Sequence, residues 1–171
     1  ARPEDAALAD VIVDETERIR RLADRMESLA EERPARRDPV NLHRVLDRVG
    51  VLAGGAAADG VSVTYAYDPS LPDAAGDEDQ LVQVFLNLVK NAGEAARSRG
   101  DGRGEILIST AYRHQPRPRS EEAARPATPL EVRIRDNGPG VAAQIRDRLF
   151  QPFVTARPGG VGLGLALTAR L

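Results

Sequence analysis

Between Glu4 and about Glu32 the apolar residues Leu8, Ile12, Ile19, Leu22, Met26 and Leu29 recur at alternating spacings of three and four, with Glu15 the one polar member of the series. Such a heptad stripe predicts a long helix whose seam must be buried against other helices. Two arrangements would do this: an ordinary surface helix packed on its own domain, or one arm of a helical hairpin or dimer bundle. Pro34 and Pro39 separate the stripe from the next apolar segment, which favours the bundle.

After a linker from Arg33 to Pro39, the residues Leu42, Val45, Leu46, Val49, Leu52 and Ala53 predict a second helix from Val40 to about Ala58, ended by Gly54, Gly55 and Gly60. Val61, Val63, Tyr65 and Tyr67 alternate with small or polar residues, the pattern of a half-buried strand, and Asp68-Pro69-Ser70 closes it with a turn. Asp77 with Gln80 three residues on has the form of a capping box and opens a third helix through Ala96. Beyond Gly100, Gly102 and Gly104 a strand runs from Glu105 to Tyr112. Residues Arg113 to Pro129 carry Pro116, Pro118, Pro126 and Pro129 among charged residues and predict a mobile excursion. Leu130, Val132 and Ile134 then alternate as another strand, and a loop punctuated by Gly and Pro leads into a last helix at about Gly162.

Three places carry candidate chemistry. On the third helix Leu81, Val84, Phe85, Leu88, Ala92 and Ala95 share one arc, while Gln83, Asn87, Lys90, Asn91 and Glu94 crowd the opposite one. A solvated face is one reading of the polar arc. Yet asparagine is a poor helix former, and its neutral carbonyl oxygen suits a hard cation such as Mg²⁺ shared with substrate phosphates. In Asp136-Asn137-Gly138-Pro139-Gly140, Asp136 continues the inward phase of its strand. It either meets a ligand's exocyclic amine, with glycines letting the backbone approach a flat ring, or simply caps the loop. Gly159-Gly160-Val161-Gly162-Leu163-Gly164 runs straight into a helix, where exposed amides and the helix dipole favour an anion. It is neither a P-loop nor a dinucleotide fingerprint, since no Gly-Lys-Ser/Thr occurs and no strand leads into it. The eukaryotic-type kinase signature is absent too, because His43-Arg44 is followed by Val45.

Composition narrows the chemistry. With 24 basic against 26 acidic residues the net charge is -2, and three Tyr, three Phe and no Trp leave little for stacking bases, so direct nucleic-acid binding is not expected. The chain has no Cys, which excludes thiol catalysis, disulfides and Cys-ligated zinc. His43 and His114 lie far apart, which argues against a histidine metal site, and Lys90 is the single lysine. No apolar run near 18 residues and no signal-like start are present, so no membrane contact is expected in this segment and a cytoplasmic location is.

Taken in order, Asp77 to Ala96 with its Asn-Leu-Val-Lys-Asn-Ala core, Asp136-Asn137-Gly138-Pro139-Gly140, Leu149-Phe150-Gln151-Pro152-Phe153-Val154-Thr155 and Gly162-Leu163-Gly164-Leu165 resemble the N, G1, F and G2 boxes of sensor histidine kinases. Arg25-Met26-Glu27, Pro39-Val40-Asn41 and Asp68-Pro69-Ser70-Leu71-Pro72 are further similar to the nitrogen-regulation sensor kinases of the NtrB type. The resemblance covers nearly the whole chain. It implies an α+β fold: a two-layer α/β sandwich of the Bergerat ATP-binding kind, preceded by a long helix from a dimerisation hairpin. Residues 1–36 would be the second helix of that dimerisation and phosphotransfer hairpin, and 37–171 the ATP-binding catalytic domain, truncated before its last strands. ATP would lie between the third helix and a lid from roughly Gly138 to Val161.

By the family pattern Asn91 would ligate Mg²⁺, with Asn87 nearby at the phosphates. Asp136 would accept from the adenine amine, Gly138 and Gly140 would allow close approach, and Gly162, Leu163 and Gly164 would hold phosphates. Phe150 and Phe153 would anchor the lid, and Thr155 would join the nucleotide set. The implied function is transfer of the ATP γ-phosphoryl group to a histidine outside this chain, in nitrogen regulation. Implied partners are a second copy through the N-terminal helix, a response regulator and a nitrogen-status signalling protein. Alternatives are a non-catalytic nucleotide-switched dimerisation or phosphatase module, and an ATPase of the same fold.

Several positions depart from the pattern. Related ATPases carry a water-activating Glu where this chain has Asn87, which suits holding ATP for transfer better than hydrolysing it. Glu94 stands where many relatives have a basic residue, so Lys90 either supplies that charge or is solvated. Arg157 stands where this subgroup often has Lys, which makes it a candidate γ-phosphate contact. Neither His43 nor His114 has the acceptor context, in which an acidic residue and then Asn-Pro follow the histidine, so the chain is expected to begin after the acceptor.

Overall fold

The computed structural model describes residues 12, 13, 15, 16, 20, 36–54, 60–113, 129–155 and 160–170. Ile12, Val13, Glu15, Thr16 and Arg20 are helical, and Thr16 Oγ1 donates to Ile12 O at 2.7 Å. The rest of the expected heptad helix, from Leu8 to Leu29, and the excursion from His114 to Thr128 lie outside the described residues.

The chain folds as strand β1 (Asp38–Val40), helix α1 (Leu42–Leu52), strands β2 (Val61–Ala66) and β3 (Ala74–Gly76), helix α2 (Glu78–Arg97), strands β4 (Gly104–Tyr112) and β5 (Leu130–Asp136), a short 3₁₀ turn (Ala143–Arg148) and helix α3 (Gly164–Arg170). Strands β2, β4 and β5 form one sheet in that order, β2 parallel and β5 antiparallel to β4, while β1 and β3 pair as a separate antiparallel ribbon. Helices α1 and α2 pack on each other, and α2 also contacts the sheet, so the molecule is a two-layer α+β sandwich. Leu46, Val49, Val89, Ile106 and Ile108 are almost fully buried where the layers meet. Burying a side chain of this kind stabilises the fold by about 1.5–3 kcal/mol. Among the described residues no helix is long and apolar enough to cross a membrane.

Both ends of the second helix differ from the sequence-based expectation, each for a local reason. The second helix starts at Leu42, not Val40, because the Asn41 side chain accepts from Arg44 N at 3.1 Å and caps it. Val40 instead pairs with Ala74 in the β1–β3 ribbon and is buried. The ribbon ties the entrance of α1 to Asp77, the cap of α2. The helix also ends earlier, at Leu52, where the Ala53 and Gly54 amides bond back to Val49 O and Val51 O.

His43 has a structural role at the end of the sheet. Its ring stacks on Tyr67, with centroids 4.5 Å apart and planes within 6°, and its Nε2 lies 2.9 Å from Oγ1 of the buried Thr110. The same hydroxyl accepts from Asp68 N, and Asp68 in turn accepts from Ser70 and from Tyr112 N. Tyr67 donates to Asp47 Oδ1 at 3.0 Å. Burial, then the Asp47 carboxylate, pushes the Tyr67 phenol far above its ordinary value. The folded chain thus keeps a proton that the unfolded chain releases near pH 10. The stability gained is complete below that pH and lost as pH rises beyond it. Urea unfolding midpoints measured between pH 8 and 11 should therefore fall on the alkaline side, and less steeply in Tyr67→Phe; equal slopes in both proteins would refute this.

Candidate nucleotide-binding site

Helix α2 sets the phase of the site. Asp77 accepts from Asp79 N at 3.0 Å and Gln80 N at 3.2 Å, which fixes where the helix begins. Its dry line is Val82, Phe85, Val89, Ala92, Gly93 and Ala96, rotated from the expected arc, with only Phe85 and Ala92 in common. Leu81, Val84 and Leu88 are half-buried against the same core, Ala95 where Gly138 approaches it, while α3 packs over the helix at Asn87 and Asn91. This splits the expected polar arc. Asn87, Asn91 and Gln83 are half-buried, whereas Lys90 and Glu94 are exposed.

The first residue of α3 stands over the two asparagines. A Cβ placed on Gly164 would lie 3.8 Å from Asn91 Nδ2 and 3.9 Å from Asn87 Oδ1. Leu163 and Leu167, almost fully buried, hold α3 against α2. Just before them Gly162 takes φ +71°, and a Cβ there would fall 2.6 Å from the Phe153 carbonyl carbon and 2.7 Å from Val154 N. Phe153 N donates to Gly162 O at 3.0 Å, and Phe153 itself has φ 64°. The lid is thus pinned by backbone at this point. The expected anchoring by the rings of Phe150 and Phe153 is not seen: both are exposed, at 58% and 62%. A residue in the left-handed conformation spends its backbone on the Gly162 contact, and its side chain is turned out.

At the other end of α2, Asp136 closes β5 opposite Ile106 and is half-buried. Its Oδ1 accepts from Gly138 N at 2.9 Å, the loop-cap role, while Oδ2 takes no hydrogen bond among the described residues. The carboxylate therefore caps the turn with one oxygen only. Gly138 lies hard against α2, where a Cβ would sit 2.6 Å from Ala95 O. Gly140 has φ +78° and nothing within 4 Å of its Cβ position, so it serves conformation and not close approach. Thr155 is exposed, and Arg157 lies outside the described residues.

The three sequence motifs thus converge on α2: Gly164 on Asn87 and Asn91, Gly138 on Ala95, with Asp136 beside it. The donor set fits a magnesium nucleotide. Half-buried amide oxygens suit a hard cation that is shared with phosphates, and glycines leave backbone room where side chains would collide. Among the described residues no group of three or more His, Cys, Asp or Glu is placed to hold a metal ion. Sequence reasoning gave no role to Asn137, Arg99 or the Ala95 carbonyl. An Asn between Asp and Gly is a signal for side chain to backbone bonding, but its partners lie far away in sequence.

Fold and site define an ATP-binding α/β sandwich, and the chain belongs to the histidine kinase-, DNA gyrase B- and HSP90-like ATPase family, whose model matches residues 76–171. Within it the chain is similar to the sensory histidine kinase/phosphatase NtrB of Rhizobium leguminosarum bv. phaseoli, 52% identical over 171 residues that cover 98% of this chain and 44% of the relative. The chain spans less than half the length of the curated relatives it matches. Among solved structures, ShkA full-length in complex with AMPPNP superposes with a TM-score of 0.72 at 24% identity, covering 98% of this chain and 33% of that one. ThkA in complex with the response regulator protein TrrA gives 0.63 at 18% identity, covering 95% and 44%. Both likenesses bear on the fold.

Proposed function

We propose that this chain holds Mg-ATP between α2 and the segment from Gly138 to Val161 and presents the γ-phosphoryl group to a histidine outside the chain. The convergence of Asn87, Asn91, Gly164, Asp136 and Gly138 on one helix carries the proposal. In it Asn91 offers its carbonyl oxygen to the cation and Asn87 flanks the phosphates. The free oxygen of Asp136 accepts from the adenine amine, and Gly138 keeps the chain close enough to do so. Gly162, Leu163 and Gly164 present backbone amides to the phosphates. Bound Mg²⁺ would neutralise phosphate charge. The protein's own part is positioning, since phosphoryl transfer asks little covalent chemistry of it. His43 is not the acceptor in this reading, because its ring is engaged with Tyr67 and Thr110. Lys90 and Thr155, both exposed, stay outside the core of the site, and Arg157 is a candidate at the γ-phosphate.

By its similarity to NtrB, the chain is the catalytic part of a cytoplasmic nitrogen-regulation kinase acting on a response regulator. Residues 37–171 would be its ATP-binding domain, and 1–36 would join a second copy in a hairpin bundle. A nitrogen-status signalling protein completes the partner set. The name of the relatives also includes phosphatase, so a nucleotide-gated phosphatase is the second reading.

Calorimetry at millimolar nucleotide tests the site: Mg-ATP should bind, and no heat of binding would remove both readings. A separately supplied hairpin bearing an acceptor histidine should become labelled from ATP. Binding without labelling would leave the phosphatase reading.

A further inference from the structure

Asn137 is built into the fold more firmly than either neighbour. Its N–H donates to Glu105 O at 3.2 Å, its Oδ1 accepts from Glu105 N at 2.9 Å, and its Nδ2 donates to Arg103 O at 2.9 Å. The β4–β5 ladder ends with Ile106 opposite Asp136. Beyond that pair the Asn137 side-chain amide acts as an extra peptide, closing the next rungs while the main chain turns away toward α2. The Asn137 carbonyl is fixed as well. Arg99, just past the end of α2, donates to it through Nη1 at 2.9 Å. The same guanidinium holds Asp101 through Nη2 at 2.8 Å and Nε at 3.3 Å, and Asp101 Oδ1 accepts from Arg103 N at 3.0 Å. The network is a closed ring, Asn137 to Arg103 to Asp101 to Arg99 and back to Asn137.

This ring joins the two pieces of chain that form the base end of the site. One is the C-terminal end of α2, where Ala95 meets Gly138, and the other is the turn that bears Asp136. We propose that Asn137 and Arg99 are a positioning pair that sets where the Asp136 carboxylate stands, and so governs discrimination for a base bearing an exocyclic amine. The inference rests on the nucleotide reading above. The amide side chain supplies, on two separate atoms, the acceptor for Glu105 N and the donor for Arg103 O. An aspartate would set a carboxylate against the Arg103 carbonyl, and alanine would leave both backbone groups without their partner.

The test compares the affinities of the whole chain for ATP and for inosine triphosphate, in which an oxo group replaces the amine. The wild type should favour ATP, because a site built to receive a donor rejects an analogue without it. In Asn137→Ala and Asn137→Asp the affinity for ATP should fall about tenfold or more while that for inosine triphosphate changes little, so the preference contracts. Arg99 is partly exposed and its change leaves the core intact. Arg99→Ala should contract the preference in the same direction, and Arg99→Lys should restore part of it, which keeps the test open if Asn137 variants fold poorly. A wild type that prefers ATP, with an unchanged preference in Asn137→Asp and Arg99→Ala, overturns this inference alone. A wild type that binds neither nucleotide removes the nucleotide reading and this inference with it.

Discussion

Asn91→Ala should lower labelling of an acceptor histidine from Mg-ATP by about a thousandfold, the scale of losing one preorganised group at developing charge. Its thermal unfolding midpoint should stay within a few degrees of the wild type's. The two expectations separate because of where Asn91 sits. It is half-buried on the flank of α2 that faces Gly164, one turn from Asn87, and outside the dry line of Val82, Phe85, Val89, Ala92 and Ala96. Removing its amide opens no cavity in the hydrophobic core. Within a long helix, alanine is a better helix former than asparagine by roughly half a kcal/mol. If Asn91 serves the cation, nucleotide offered without Mg²⁺ should bind the variant nearly as it binds the wild type, and added Mg²⁺ should no longer tighten it. Rapid-quench labelling and titrations with and without Mg²⁺ check both. A variant that labels at the wild-type rate, or still tightens with Mg²⁺, would show that the cation is held elsewhere.

The elements legible in the sequence are those whose signal is periodic or local. The Asp77 cap, the alternation through Val61 to Tyr67 and through Leu130 to Ile134, and the Gly-rich start of the last helix are read directly from neighbours in sequence. The β3 strand is not legible, because Ala74-Ala75-Gly76 has no alternation and owes its conformation to pairing with Asp38–Val40. The phase of α2 departs from its expected arc for a related reason. Its apolar residues cover most of the circumference, since α1 with the sheet and α3 with the residue 138 loop press on different flanks, and no sequence window shows which flank is driest. At the site, residue types and order are legible, and so is the inward direction of Asp136. What sequence spacing does not show is depth: that Lys90 and Asn91, adjacent in the chain, differ in burial, and that Asp136 gives only one of its two oxygens to the loop. The Asn137 ring is out of reach, since Asn137 meets Arg99, Arg103 and Glu105 across more than thirty residues.

Gly138→Ala should abolish nucleotide binding, with a loss of at least about a hundredfold, whereas Gly140→Ala should keep it within a fewfold of the wild type. The two glycines read alike in sequence, and the fold gives them different work. A methyl on Gly138 would meet the Ala95 carbonyl oxygen at 2.6 Å, its carbon at 2.7 Å and Asp136 Oδ1 at 2.8 Å. Two of these are backbone atoms in the last turn of α2, where the Ala95 carbonyl is held by the Ser98 hydroxyl at 2.7 Å, so the loop moves instead. Any movement that relieves the clash also breaks the bond from Gly138 N to Asp136 and takes the carboxylate out of place. Overpacking of this kind costs about 1–3 kcal/mol, small enough for the chain to remain folded. A base reader displaced by an ångström then accounts for the binding loss. Gly140 has open space around it and only its left-handed φ of 78° to lose, a strain of about 1–2 kcal/mol at the rim of the loop. Titration with Mg-ATP beside thermal unfolding of both variants reads the difference. Equal loss of affinity in the two would mean that loop conformation matters and the approach to Ala95 does not. Undiminished binding in Gly138→Ala would place the base away from Asp136.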